Sequence, residues 1–118
     1  MNKFENLTKY LSLLNENNLE TREGDRLLSS FVKDVYDFDE KNEDFELRRY
    51  IDILEANGLE WGSKAMSEAD VSDLDAQCVM ALIMGAVRAE RFCDDSLLEF
   101  FENGSIRKWL ERLNEFQK

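Results

Sequence analysis

The sequence predicts one all-α domain, residues 1–118, with about six helices packed around a central apolar helix, residues 72–92. Three observations carry this prediction. The chain has no proline and only five glycines, so few residues interrupt helices. Apolar residues recur three and four positions apart, as on one face of a helix. Ten consecutive apolar residues, Cys78–Val87, fit a helix that is buried on every side.

The spacing of apolar residues in the N-terminal half predicts three amphipathic helices, Lys3–Asn15, Asp25–Glu40 and Phe45–Asn57. Gly58 follows the third helix, where glycine most easily adopts a left-handed conformation. The apolar positions of the three helices are, in chain order, Phe4, Leu7, Leu11 and Leu14; Leu28, Phe31, Val32, Val35 and Phe38; and Leu47, Tyr50, Ile51 and Leu54.

The middle of the chain predicts a short turn of helix within Leu59–Ala69, followed by the central helix. Ser72 is expected to be the N-cap of that helix, because serine hydroxyls accept hydrogen bonds from the first free backbone N–H groups. Gly85 lies in the helix interior, where it costs about 1 kcal/mol relative to alanine. We therefore expect Gly85 to admit a closely packed neighbouring helix.

The C-terminal part predicts two more helices. Asp94, Asp95 and Ser96 offer an N-cap for a short helix that ends at Asn103-Gly104. Ser105 is expected to cap the last helix, Ile106–Phe116, whose apolar face includes Trp109.

The net charge of −11, from 26 acidic and 15 basic residues, limits the kinds of partner that the chain can bind. Nucleic acid and anionic membranes would be repelled, whereas basic protein surfaces would be attracted. Acidity also keeps a protein soluble, so the charge by itself does not require a partner.

The two cysteines predict a cytoplasmic protein. Cys78 and Cys93 lie 15 residues apart on one predicted helix, roughly 22 Å, which is too far for a disulfide. Unpaired cysteines suit a reducing compartment. No secretory signal is recognised, and the longest apolar run is about half of the ~20 residues that span a bilayer.

Residues for several kinds of catalysis are missing from the sequence. The chain has no histidine, which removes the commonest general base and the usual nucleophile pairs. No glycine-rich phosphate-binding motif is present. An EF-hand loop beginning at Asp37 would place Lys41 at position 5 and Arg48 at position 12, where calcium needs oxygen ligands. We therefore expect no enzyme activity, metal or cofactor.

The stretch Asp34–Glu46 is the strongest candidate for a binding surface, with a net charge of −6. Such a cluster can imitate a phosphate backbone and occupy a basic groove on another protein. The alternative is a solvated helix end, since charge runs usually face water. Its seven acidic residues are Asp34, Asp37, Asp39, Glu40, Glu43, Asp44 and Glu46, and Lys41 is its one base.

A second constellation is predicted to be a structural ion-pair cluster at the end of the central helix. Its members are Arg88, Glu90, Arg91 and Arg112. We expect Arg88 or Arg91 to pair with an acid such as Asp75, Glu99 or Glu111, with its side-chain stem on Trp109, because buried charges need partners. A catalytic alternative uses Glu90 as a base or Cys93 as a nucleophile, but the sequence supplies no partner group.

Two segments resemble an uncharacterised family of small bacterial and prophage proteins, domain of unknown function 6508. The first contains Leu74-Asp75-Ala76-Gln77 and Arg88-Ala89-Glu90-Arg91-Phe92-Cys93-Asp94, and the second Ile106 with Trp109-Leu110-Glu111-Arg112-Leu113. Tyr50–Glu55 and Gly58–Gly62 are also similar, so the resemblance covers roughly the C-terminal 70 residues. It implies an α-helical domain in a bacterial or phage setting and transfers no activity.

The sequence therefore favours a non-enzymatic acidic module that binds a basic protein surface. A phage-type inhibitor of a host nucleic-acid-binding protein, such as an anti-CRISPR protein, is one instance. The alternative is a regulatory or assembly module that acts through an apolar face, as a homodimer.

Overall fold

The chain is described by a computed structural model over residues 4–12, 22–89 and 96–116, and the all-α prediction is confirmed. These residues contain no β-strand. Their α-helices include α1 (Glu5–Thr8), α2 (Arg22–Lys41), α3 (Tyr50–Ala56), α4 (Ser63–Glu68), α5 (Ala76–Ala89), α6 (Ser96–Glu102) and α7 (Ser105–Glu115). Two 3-10 turns, Glu43–Phe45 and Leu47–Arg49, connect α2 to α3. None of the helices in these ranges has both the length and the apolar character needed to cross a membrane.

The central position predicted for the apolar helix is confirmed. Helix α5 packs against α2, α3, α6 and α7, and most extensively against α3. Every residue of Cys78–Val87 is buried. A helix enclosed in this way has no polar face, which is why its sequence shows no amphipathic alternation.

The predicted start of the central helix at Ser72 is wrong, since α5 begins at Ala76. The Asp75 carboxylate accepts a hydrogen bond from the backbone N–H of Cys78 at 2.9 Å, so Asp75 is the N-cap. Ser72 instead donates its N–H and hydroxyl to the Asp70 carboxylate, at 3.0 and 2.7 Å. Residues 90–92, the predicted end of the helix, lie outside the described residues.

Gly85 admits a close neighbour, as predicted, but the neighbour is a tryptophan and a methionine rather than a helix backbone. The indole Nε1 of Trp61 donates to the Gly85 carbonyl oxygen at 3.1 Å. A Cβ at position 85 would lie 2.9 Å from Cε of Met66 and 3.1 Å from Cδ1 of Trp61. Any larger residue would therefore push the side chain of Trp61 or Met66 away from α5.

The third helix begins later than predicted, at Tyr50 instead of Phe45. Phe45 and Leu47 are both buried, yet residues two apart on an α-helix lie on nearly opposite faces. The chain resolves this conflict at Glu46, which has a left-handed backbone (φ 51°) between the two 3-10 turns. The end of the helix is as predicted, with Gly58 in a left-handed conformation (φ 77°).

Two other predicted boundaries also differ. Helix α2 begins at Arg22, three residues before the predicted start. Ser105 is the first residue of α7 and not its cap, because its N–H and hydroxyl both donate to the Asn103 side chain, at 2.9 and 2.6 Å. Residues 13–15 of the first predicted helix and residues 94–95 lie outside the described residues.

Candidate functional site

A groove of about 440 Å³ lies at the C-terminal end of α2, where the chain turns towards α3. We call it the acidic groove. It is lined by Asp39, Glu40, Glu43, Glu46, Leu47, Arg48 and Arg49. Four of the seven acidic residues predicted to form a binding surface therefore line one concave site.

The turn that carries the groove is fixed to the hydrophobic core. The Phe45 ring packs edge-on against Phe38, with ring centres 5.2 Å apart, and Leu47 is completely buried. Gln77 on α5 donates its side-chain N–H to the backbone carbonyl of Phe45 at 2.9 Å. These contacts hold the residues on either side of Glu46 in place, so the groove is built on rigid backbone.

Glu46 carries the strained backbone of the site. Among the described residues it alone has a positive φ without being glycine. A left-handed conformation costs such a residue about 1–2 kcal/mol. The surrounding burial of Phe45 and Leu47 holds Glu46 in this conformation, which lets its neighbours enter the core while Glu46 lines the groove.

The groove has both signs of charge, with four carboxylates and two guanidinium groups giving −2. Arg49 donates to the Asp52 carboxylate at 3.3 Å, an exposed contact within one turn. Arg48 is exposed and forms no ion pair with another residue in the described ranges. Arg48 is therefore available to an anionic group on whatever enters the groove.

The other three predicted acidic residues lie apart from the groove. Asp34 accepts a hydrogen bond from the Tyr10 hydroxyl at 2.5 Å. It also forms an ion pair with Lys9 at 3.3 Å. Burial, and then the neighbouring Asp34 carboxylate, raise the pKa of the Tyr10 phenol. Asp34 thus joins the N-terminal region to α2. Asp37 is half-buried and Asp44 is exposed, and neither lines the groove.

The arginines of the predicted ion-pair cluster contact different elements. The Arg88 guanidinium lies 5.4 Å from the centre of the Tyr36 ring, and its buried Nε has no hydrogen-bond acceptor among the described residues. Arg112 donates from Nε and Nη2 to the Leu74 carbonyl, at 3.2 and 2.9 Å. Glu90, Arg91 and Cys93 lie outside the described residues.

In the part of the chain that the structure describes, Arg88 forms none of the expected ion pairs with Asp75, Glu99 or Glu111. Arg112 pairs with Glu115 at 2.7 Å. Its role is structural, because its two bonds to the Leu74 carbonyl attach α7 to the segment that leads into α5.

A second groove of about 490 Å³ lies between α7 and that same segment. Lys108 donates from its ammonium group to the carbonyls of Ser67 and Ala69, both at 2.8 Å. Hydrogen bonds from the Ser72 backbone and hydroxyl lower the pKa of Asp70. The polar groups of this groove therefore bind its own walls, and it is a weaker candidate for ligand binding.

Among the described residues, the structure places neither a reactive thiol nor a cluster of metal ligands. Burial raises the pKa of the Cys78 thiol to about 11, which keeps it protonated and unreactive near neutral pH. No group of three His, Cys, Asp or Glu residues is placed to hold a metal ion within the described ranges.

Sequence reasoning did not find Arg48, Arg49 and Gln77 as parts of the site. The adjacent arginines directly after the acidic stretch were a usable signal, because an acidic surface that ends in a basic pair presents both charges. Gln77 gave no signal, since its hydrogen bond joins residues 32 positions apart.

Comparisons with known proteins give a family and nothing further. No curated protein and no solved structure matches the chain. The family match extends over residues 3–118, well beyond the C-terminal motifs that carry the resemblance. The chain belongs to the family of unknown function DUF6508.

Proposed function

We propose that this chain is a non-enzymatic binding module whose acidic groove receives the cationic side chains of a protein partner. The observation that carries the proposal is the convergence of Asp39, Glu40, Glu43 and Glu46 on one groove. Its volume is within the range of about 300–1,000 Å³ typical of sites that enclose a ligand. It therefore has room for one or two side chains of a partner.

Electrostatics gives specificity here more than affinity. An exposed ion pair contributes roughly 0.2–1 kcal/mol, so four pairs contribute about 1–4 kcal/mol. A complex with a micromolar Kd needs a favourable binding free energy of about 8 kcal/mol. The partner must therefore also contact surface around the groove, while the carboxylates orient it and speed its approach.

The rigid backbone of the groove favours binding. Leu47 is buried and the Phe45 carbonyl is held by Gln77, so the backbone that carries Glu43 and Glu46 is already in place before a partner arrives. Little backbone ordering then opposes association. This distinguishes the groove from a flexible acidic tail.

The positive charge of Arg48 restricts which protein surfaces can fit the groove. A purely basic surface would meet this guanidinium unfavourably, since like charges repel. A partner with an acidic residue beside its cations satisfies both parts of the groove. We therefore favour a folded protein surface over a simple polycation.

We further propose that the partner's surface is one that normally holds nucleic acid, and that the chain acts in the cytoplasm as a phage-type inhibitor of the anti-CRISPR kind. The net charge of −11 supports this, because such a chain competes with phosphate for basic surfaces and does not itself bind nucleic acid.

Assembly through an apolar face has less support. Among the described residues, the exposed large hydrophobic side chains are Ile51 and Phe116, at 37% and 39% exposure. The Arg112 guanidinium covers part of Phe116, at 4.5 Å from its ring centre. Two such residues do not make the contiguous patch that marks a stable interface.

Capture from a bacterial lysate tests the proposal. The comparison is between the native chain and a neutral variant of the same shape, with Asp39→Asn, Glu40→Gln, Glu43→Gln and Glu46→Gln. The native chain is expected to retain a protein that elutes as salt rises from about 0.1 to about 0.5 M, because salt screens exposed charges. Added duplex DNA or RNA should displace the same protein. Equal retention by the neutral variant would contradict the proposal.

A further inference from the structure

We draw no further inference here: the strongest candidate, the guanidinium of Arg88 at the C-terminal end of the central helix, whose buried Nε has no acceptor among the described residues, adjoins residues 90–95 outside the described ranges, so nothing in the structure shows which anion would meet it.

Discussion

The central helix and the acidic groove lie side by side, joined by the hydrogen bond from Gln77 to the Phe45 carbonyl. The first is organised by burial and the second by charge. Every residue of Cys78–Val87 is buried, and the helix as a whole packs against several elements. The groove residues Glu40, Glu43 and Arg48 are exposed. Electrostatic interactions between exposed charges contribute little to the free energy of unfolding. Stability is thus concentrated in the helix, whereas most of the charged side chains of the groove face solvent.

The largest expected effect is a difference in the free energy of unfolding between substitutions in the central helix and substitutions in the groove. Leu82→Ala, at a completely buried position of α5, should lower the free energy of unfolding by about 3 kcal/mol, because it leaves a cavity. Glu40→Ala in the groove should change it by less than about 0.5 kcal/mol. Urea denaturation of both variants checks this. Similar losses would contradict the division between core and groove.

The Tyr10–Asp34 contact tests our assignment of Asp34 to structure rather than to the groove. Tyr10→Phe should destabilise the protein by about 2 kcal/mol at pH 7, because it removes a hydrogen bond to a carboxylate. Tyr36→Phe, at a half-buried tyrosine, is the matched control and should have a smaller effect.

The pH dependence of the same contact has a defined sign. The folded state raises the pKa of Tyr10, whereas the unfolded chain releases this proton near pH 10. The contribution to stability is therefore complete below about pH 10 and is lost progressively above it. Urea denaturation between pH 8 and 11 should show a shallower decline for Tyr10→Phe than for Tyr36→Phe. An equal loss of stability with pH in the two variants would show that Tyr10 does not cause the pH dependence.

Gly85 tests how closely the central helix is packed. Gly85→Ala should gain about 1 kcal/mol of helix propensity but lose more by contact with Met66 and Trp61, for a net loss of about 1 kcal/mol. Tryptophan fluorescence should shift as Trp61 moves. In a Met66→Ala background the loss should shrink, since the 2.9 Å contact is gone. An unchanged loss in that background would mean that Met66 is not the obstacle.

The smallest effect concerns the strained turn of the groove. Glu46→Gly should leave stability unchanged or raise it by up to about 1 kcal/mol, because glycine adopts a positive φ without steric cost. Glu43→Gly, in a 3-10 turn, should be neutral or destabilising. Thermal denaturation distinguishes them, and a clear loss for Glu46→Gly would contradict the left-handed turn.

The core could be predicted from sequence because a helix with ten consecutive apolar residues has no polar face to turn to water, and all ten are buried. The start of α5 could not, since Ser72 and Asp75 are both good caps and periodicity does not choose between them. The break at Glu46 was also hidden, because a left-handed residue other than glycine has no strong sequence signal.

The groove was predicted only in part. The acidic stretch pointed to the right segment, but separating Asp34 from Asp39 required knowing that Tyr10 reaches Asp34 from 24 residues away. Charge patterns show where carboxylates are in the chain and not which of them already have partners in the fold.

The most direct test of the central claim is to compare two charge reversals of equal size against the captured partner by isothermal titration calorimetry. The first variant changes Asp39, Glu40, Glu43 and Glu46 to lysine. The second changes Glu55, Glu60, Asp73 and Glu102, which are exposed and do not line the groove, to lysine. We expect the groove reversal to weaken binding at least about 100-fold and the control by less than about 10-fold. Equal weakening would show that recognition depends on net charge and not on the groove.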